Sequence, residues 1–357
     1  MGHTPLRSLR ASALLLLAIN VAAAGQTATT ITSPCARCHA AQTLHQAQTP
    51  MAHALLPEGK NPLFNAHPKL TATRGAYTYA LETHGSNTTY TVSDGTHSIS
   101  LPVPWTFGMR MQTWVLEHNG HFYESMVSYY PASSGLATTV GDEKLAPQTL
   151  EAALGRELSA SETRQCFGCH SSNAVSDGQL KLTSMQPGVT CEHCHTGATL
   201  HLLDATQGFL DSAPPHLGKL SSEGVLHFCG QCHRTWETVV RKGERGVSNV
   251  RFQPYRLANS KCFDGADPRI SCIACHDPHN ELVRDTASYD AKCLACHALK
   301  AAQTTASPKQ GAKACPTQST NCTNCHMPKV EVNSPGGVLK FTDHTIRRAL
   351  PGDPYPN

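Results

Sequence analysis

Between residues 77 and 130 apolar and polar side chains alternate with the period of two that marks strands with one buried face. Tyr77, Tyr79 and Leu81 alternate with smaller or polar residues, Gly85-Ser86-Asn87 reads as a turn, and Tyr90 and Val92 resume the alternation. Asp94-Gly95 predicts a tight hairpin into Ile99, Leu101 and Val103, where Pro102 and Pro104 end regular pairing. Residues 109–117 read as a longer strand, Asn119-Gly120 as a second hairpin turn and residues 122–130 as the returning strand. The pattern predicts an antiparallel meander of four or five strands. The period then changes: Leu150, Leu154 and Leu158 fall on one stripe, which predicts a helix over residues 147–158. Ser159-Ala160-Ser161-Glu162 has the form of a capping box that opens another helix.

At the N-terminus Arg7 and Arg10 precede an apolar run over residues 11–21 and the small-residue site Ala22-Ala23-Ala24. This is the layout of a secretory signal peptide, with cleavage expected near Ala24/Gly25. The run is too short to span a bilayer, and no later segment is apolar for long enough. The expected location is periplasmic or extracellular. Beyond residue 159, frequent Gly and Pro argue for short helices and loops.

Composition changes this picture. The chain has 357 residues but only 6% aromatic side chains, while it holds 16 cysteines and 21 histidines. Fourteen of the cysteines fall in Cys-x-x-Cys-His units: Cys35, Cys38, His39; Cys166, Cys169, His170; Cys191, Cys194, His195; Cys229, Cys232, His233; Cys272, Cys275, His276; Cys293, Cys296, His297; and Cys322, Cys325, His326. Chance would place roughly 0.04 such units in a chain of this composition. Two thiols three residues apart reach the two vinyl groups of one haem, and the next residue places its imidazole under the iron. Zinc ribbons also use Cys-x-x-Cys pairs, but gain nothing from a histidine after every second cysteine. The expected cofactors are seven haem c groups, with those seven histidines as proximal ligands. Their macrocycles supply apolar interior that the side chains lack. The formal charge of +3 describes the bare polypeptide; haem propionates add about 14 acidic groups, so the mild basic excess implies no nucleic-acid partner. Cys262 and Cys315 are left over, as a disulfide or as two buried thiols.

A second axial histidine makes an iron that only passes electrons, whereas an open position binds substrate. His201, His279 and His344 are the first candidates for distal ligands, with Asp343 placed to orient His344. His67, His216 and His227 are further candidates, and Met51 or His53 lies within reach of the first site. His84, His97, His118 and His121 read as surface histidines of the strand region.

The chain resembles the multihaem cytochromes with a cytochrome c-552/c-554-type domain, most strongly over residues 166–348. Gly188-Val189-Thr190-Cys191-Glu192-His193-Cys194-His195 resembles that family's Gly-Val-x-Cys-Glu-x-Cys-His segment. Thr196-Gly197-Ala198 stands where the family has Gly-Pro-Gly, while His201 keeps the histidine that follows. Residues 272–279 match Cys-x-x-Cys-His-x-Pro-His, and residues 322–329 match Cys-x-x-Cys-His-Met-Pro-Lys. The resemblance implies His279 as a distal ligand and electron transfer as the role.

The expected fold is α+β with little regular structure: short helices and loops around stacked haems, plus an inserted antiparallel meander. The expected division is a signal peptide (1–24), a first haem segment (25–59), a β-rich region (60–142) and a six-haem domain (143–357). The expected function is transfer of electrons along closely packed, mostly bis-histidine haems to and from redox partner proteins, without a membrane span. One alternative is an oxidoreductase with a single open haem. Another is a homo-oligomer or filament in which His53 or His67 serves a neighbouring subunit.

Overall fold

The computed structural model describes residues 1–2, 33–243, 246–297, 320–350, 352, 353 and 355. The expected signal segment and Cys315 therefore lie outside the described residues. Short helices and antiparallel sheets make up the rest, in an α+β arrangement.

The alternating stretch is divided between two sheets rather than forming one meander; its first part, with the strand before it, forms a four-stranded antiparallel meander of Lys69–Arg74, Tyr77–His84, Asn87–Ser93 and Ser98–Pro102. Tyr79 pairs with Val92, and Val92 with Ile99, so one face carries the buried Tyr79, Leu81, Tyr90 and Val92. The turn at Asp94 is longer than the expected tight hairpin. Ser93 pairs with Ser98, and the Asp94 carboxylate accepts the backbone N–H groups of Thr96 and His97. This Asx-type bonding gives the chain an alternative to a two-residue turn. Asn119-Gly120 does form a two-residue turn, with His118 opposite His121.

A second, five-stranded sheet runs in the order Leu55–Pro57, Trp105–Phe107, Thr113–His118, His121–Ser125 and Gly155–Leu158. Its last strand corrects the expected helix over residues 147–158. The helix is only Leu150–Leu154, capped by the Thr149 side chain. Gly155 ends it with φ 146°, and a Cβ there would collide with the Glu124 carbonyl oxygen. Only glycine takes that backbone at low cost, and the chain leaves the helix to pair with His121–Ser125. The expected strand over residues 122–130 is also divided, into His121–Ser125 and Val127–Tyr130, because Met126 turns its N–H to Leu154 instead.

Leu63, Phe64, Tyr79, Leu81, Tyr90, Val92, Trp114, Leu116, Met126 and Leu154 form the principal core. A second cluster is centred on Phe167, against Leu55, Phe107, Val115 and Leu158. Three rings meet Phe167 edge-on: Trp105 at 5.0 Å, Phe107 at 5.2 Å and Phe122 at 6.1 Å between centres. This cluster seats the helix Ala160–His170, which carries the second motif, on the five-stranded sheet. That helix opens with the predicted capping box of Ser159 and Glu162.

The later motifs lie on short helices: Cys191–Cys194, Ser222–His233, Cys272–Cys275, Asp290–His297 and Cys322–His326. A hairpin of Lys329–Ser334 and Gly337–Thr342, which the sequence reading does not include, follows the last motif. Among the described residues no helix is long and apolar enough to cross a membrane.

Candidate haem-binding sites

Each motif closes about one helical turn. The His39 N–H donates to Cys35 O at 2.8 Å, His195 to Cys191 at 2.8 Å and His276 to Cys272 at 2.9 Å. In such a turn residues three apart share a face, so both thiols of a motif point the same way and the histidine follows at the end. The Asp290 carboxylate holds the start of the last motif turn by accepting from the Cys322 N–H.

Three motif histidines stand opposite a second imidazole. Ring centres are 6.4 Å apart for His39 and His201, 6.0 Å for His195 and His279, and 6.2 Å for His276 and His344. With nitrogen about 2 Å from a metal and ring centre about 1.2 Å further, two imidazoles on one iron are about 6.4 Å apart. The spacing therefore fits an iron between the rings. Among the described residues no three His, Cys, Asp or Glu converge on a bare ion. A porphyrin would supply the remaining ligands to an iron held between two such rings.

The surroundings fit a large apolar group as well. The motif-bearing part beyond residue 190 has a small core of its own, Val239, Phe252 and Tyr255. Leu200, Leu203, Phe209 and Leu210 next to the first and third sites are each more than half exposed, the arrangement expected of side chains that line a macrocycle. A cavity of about 470 Å³ opens on Cys275, His276, Tyr289 and Lys292.

Burial lowers the pKa of His170, His195, His233 and His276, and takes His344 down to about 4. Neutral imidazole is the form that binds iron. Several rings are also oriented through Nδ1, which leaves Nε2 for a metal. His170 Nδ1 bonds Ala54 O at 2.9 Å, His326 Nδ1 bonds Arg347 O at 3.0 Å and His344 Nδ1 bonds Thr342 O at 3.0 Å. Asp277 lies 3.3 Å from His279 Nδ1 and also accepts the His279 N–H. The sequence reading assigned the orienting role at the tail to Asp343, whose carboxylate instead bonds Arg256.

The other candidates are placed differently. His216 lies near His195. His67 packs against the tilted ring of Tyr129, with Nε2 3.3 Å from its hydroxyl. His227 faces Glu223 and Glu237 at 3.9 and 3.7 Å. Met51 and His53 lie on a segment tied to the second and third sites: Val189 N–H donates to Met51 O, and Ala54 O meets His170.

Motifs distant in sequence are neighbours in space. Thiols come within interacting range of one another between Cys35 and Cys191, Cys169 and Cys232, Cys229 and Cys272, and Cys293 and Cys322. Cys194 lies near both Cys229 and Cys232, and Cys275 near Cys293. The motifs thus follow one another in space as first, third, fourth, fifth, sixth and seventh, with the second joining at the fourth.

Residues 132–196 match the family described as cytochrome c554 and c-prime. No curated protein matches the chain. Among solved structures, the chain resembles the crystal structure of the outer cell wall cytochrome OcwA, with a TM-score of 0.50 and 10% identity, over 88% of this chain and 78% of that one. The sequence match spans 65 of the 357 residues and the structural likeness concerns the fold alone; both agree with the seven Cys-x-x-Cys-His motifs and the paired imidazoles in pointing to a multihaem c-type cytochrome.

Proposed function

We propose that the chain is a seven-haem conduit, exported to the periplasm or beyond the cell, that passes electrons between partner proteins through mostly bis-histidine haems. The three imidazole pairs at 6.0–6.4 Å carry this reading. His39 and His201 would hold the first iron, His195 and His279 the third, and His276 and His344 the fifth. Each distal ligand then comes from chain that follows the motif two places on, which interlocks the odd-numbered sites. Haem bound in this way supplies reversible one-electron chemistry. The protein's own part is to hold neutral rings on both faces, to exclude water from them and to bring the sites close together. The neighbouring thiols support a continuous path with a branch at the fourth site. The division into a first haem segment (25–59), a β-rich region (60–142) and a six-haem part (143–357) belongs to the same proposal, with the sheets seating the second site.

Electron paramagnetic resonance of the fully oxidised protein tests this reading. The expected spectrum is dominated by low-spin ferric haem. A high-spin signal of one iron per chain in the unmodified protein would favour a catalytic haem with an open position.

A further inference from the structure

A buried ion pair ties the tail of the chain to the middle. Arg256, on the helix Gln253–Ala258, and Asp343 are 1% and 0% exposed. Arg256 Nε donates to Asp343 Oδ1 at 3.0 Å and Nη2 to Oδ2 at 3.2 Å, the two-pronged geometry that fixes orientation as well as distance. Asn249 Oδ1 accepts from Arg256 Nη1 at 3.3 Å, and the guanidinium lies 4.4 Å from the centre of the Tyr355 ring. The backbone around the pair is fastened too. Asp343 Oδ1 accepts the Thr345 N–H at 2.9 Å, Thr345 Oγ1 donates to Arg256 O at 3.1 Å, and Ser260 Oγ donates to His344 O at 3.1 Å.

Replacing a buried ion pair by apolar residues is often neutral for stability, so such a pair is better read for the geometry it imposes. The geometry here concerns two sites. His344 is the next residue after Asp343, and its ring stands 6.2 Å from that of His276. Arg347, whose guanidinium is 3.7 Å from Asp343, offers its carbonyl to His326 Nδ1 and its N–H to His326 O. One short stretch of tail therefore presents a ring to the fifth site and orients the proximal ring of the seventh.

We propose that Arg256 and Asp343 are positioning residues for two haem irons: they hang the tail so that His344 closes the fifth site and Arg347 O sets the orientation of His326 at the seventh. This rests on the assignment of His344 as an axial ligand. The pair contacts neither iron and acts through the backbone on either side of residue 343. Residue 256 lies far from the tail in sequence, so no local pattern announces the coupling.

The test uses the full-length haem-loaded protein and the variants His344→Ala, Arg256→Met, Arg256→Lys, Asp343→Asn and Ser260→Ala. Covalent haem content is checked by intact mass. The readouts are the ferric high-spin signal, carbon monoxide binding by the reduced protein, the effect of added imidazole, and a spectroelectrochemical titration of the haem potentials. His344→Ala is expected to give one high-spin iron per chain, returned to low spin by imidazole. Arg256→Met and Asp343→Asn are expected to give a fraction of the same signal, reversed in the same way, together with a shifted potential at a second haem. Arg256→Lys, which keeps the charge but not the fork, should show a smaller fraction. If His344→Ala creates the signal while the Arg256 and Asp343 variants stay wholly low-spin, the positioning role is overturned and the ligand assignment stands. If His344→Ala creates no signal, the ligand assignment itself falls. Should Arg256→Met lack its full complement of haem, Arg256→Lys and Ser260→Ala decide by the same readouts.

Discussion

Gly188 stands where three parts of the chain meet, and replacing it by alanine has a calculable cost. Its φ is +74°, and a Cβ at this position would collide with the backbone carbonyl of Ala52. The left-handed conformation alone costs alanine about 1–2 kcal/mol. The collision is with main chain, so relief requires the segment around Ala52 to move away. That movement strains two bonds, Val189 N–H to Met51 O at 3.0 Å and Gln46 Nε2 to Val189 O at 2.6 Å, each worth about 0.5–1.5 kcal/mol. The total for Gly188→Ala is about 2–5 kcal/mol. For a chain of this size that lowers the melting temperature by roughly 3–7 °C, which circular dichroism of the haem-loaded protein measures. The same movement withdraws Ala54 O from His170 Nδ1, now at 2.9 Å, so proton resonances of the second haem should shift most. A melting temperature within about 1 °C of the parent, with unchanged resonances, would refute the reasoning.

Three further outcomes are expected. Asp142 is buried, which raises its carboxyl pKa from 3.8 to about 6, with the nearby Glu124 charge adding to the rise. The folded chain then binds this proton more tightly than the unfolded one, so the stability it contributes is present below about pH 4 and lost as pH rises through about 6. Asp142→Asn should raise the melting temperature at about pH 7.5, by at most about 3 kcal/mol in stability, and have little effect near pH 4; an equal effect at both would contradict this. Phe167→Ala should cost about 3–5 kcal/mol in chemical denaturation, since Phe167 is fully buried among three rings; a loss under about 1 kcal/mol would show that the cluster does not seat the second site. His201→Ala and His279→Ala should each open one iron to carbon monoxide; if both variants stay low-spin and bind none, the ring pairs are not ligand pairs.

What the sequence disclosed was local. The spacing of Cys-x-x-Cys-His is the geometry of one helical turn, so the attachment motifs can be read directly. The capping box at Ser159 and the turn at Asn119 are local in the same sense. The helix over residues 147–158 was over-extended because its leucine stripe hid the break at Gly155, a signal that was present. The tail hairpin was also signalled, by Val330 and Val332 alternating with Lys329, Glu331 and Asn333 and by Gly336-Gly337 at the turn. Other features depend on chain folding back from far away. Arg256 meets Asp343 across 87 positions, and Cys35 meets Cys191. Which histidine faces which motif is of this kind: the sequence named His201, His279 and His344 as candidates, but only the fold sets each against a particular ring.

The central claim is that one chain carries seven covalently bound haems. Intact-protein mass spectrometry of material matured in a host that attaches haem c tests it most directly. The account predicts a mass equal to the processed chain plus seven haems, with none of the fourteen motif cysteines open to alkylation. A mass with fewer haems and alkylated cysteines in any motif, or a zinc-bound chain without haem, would contradict it.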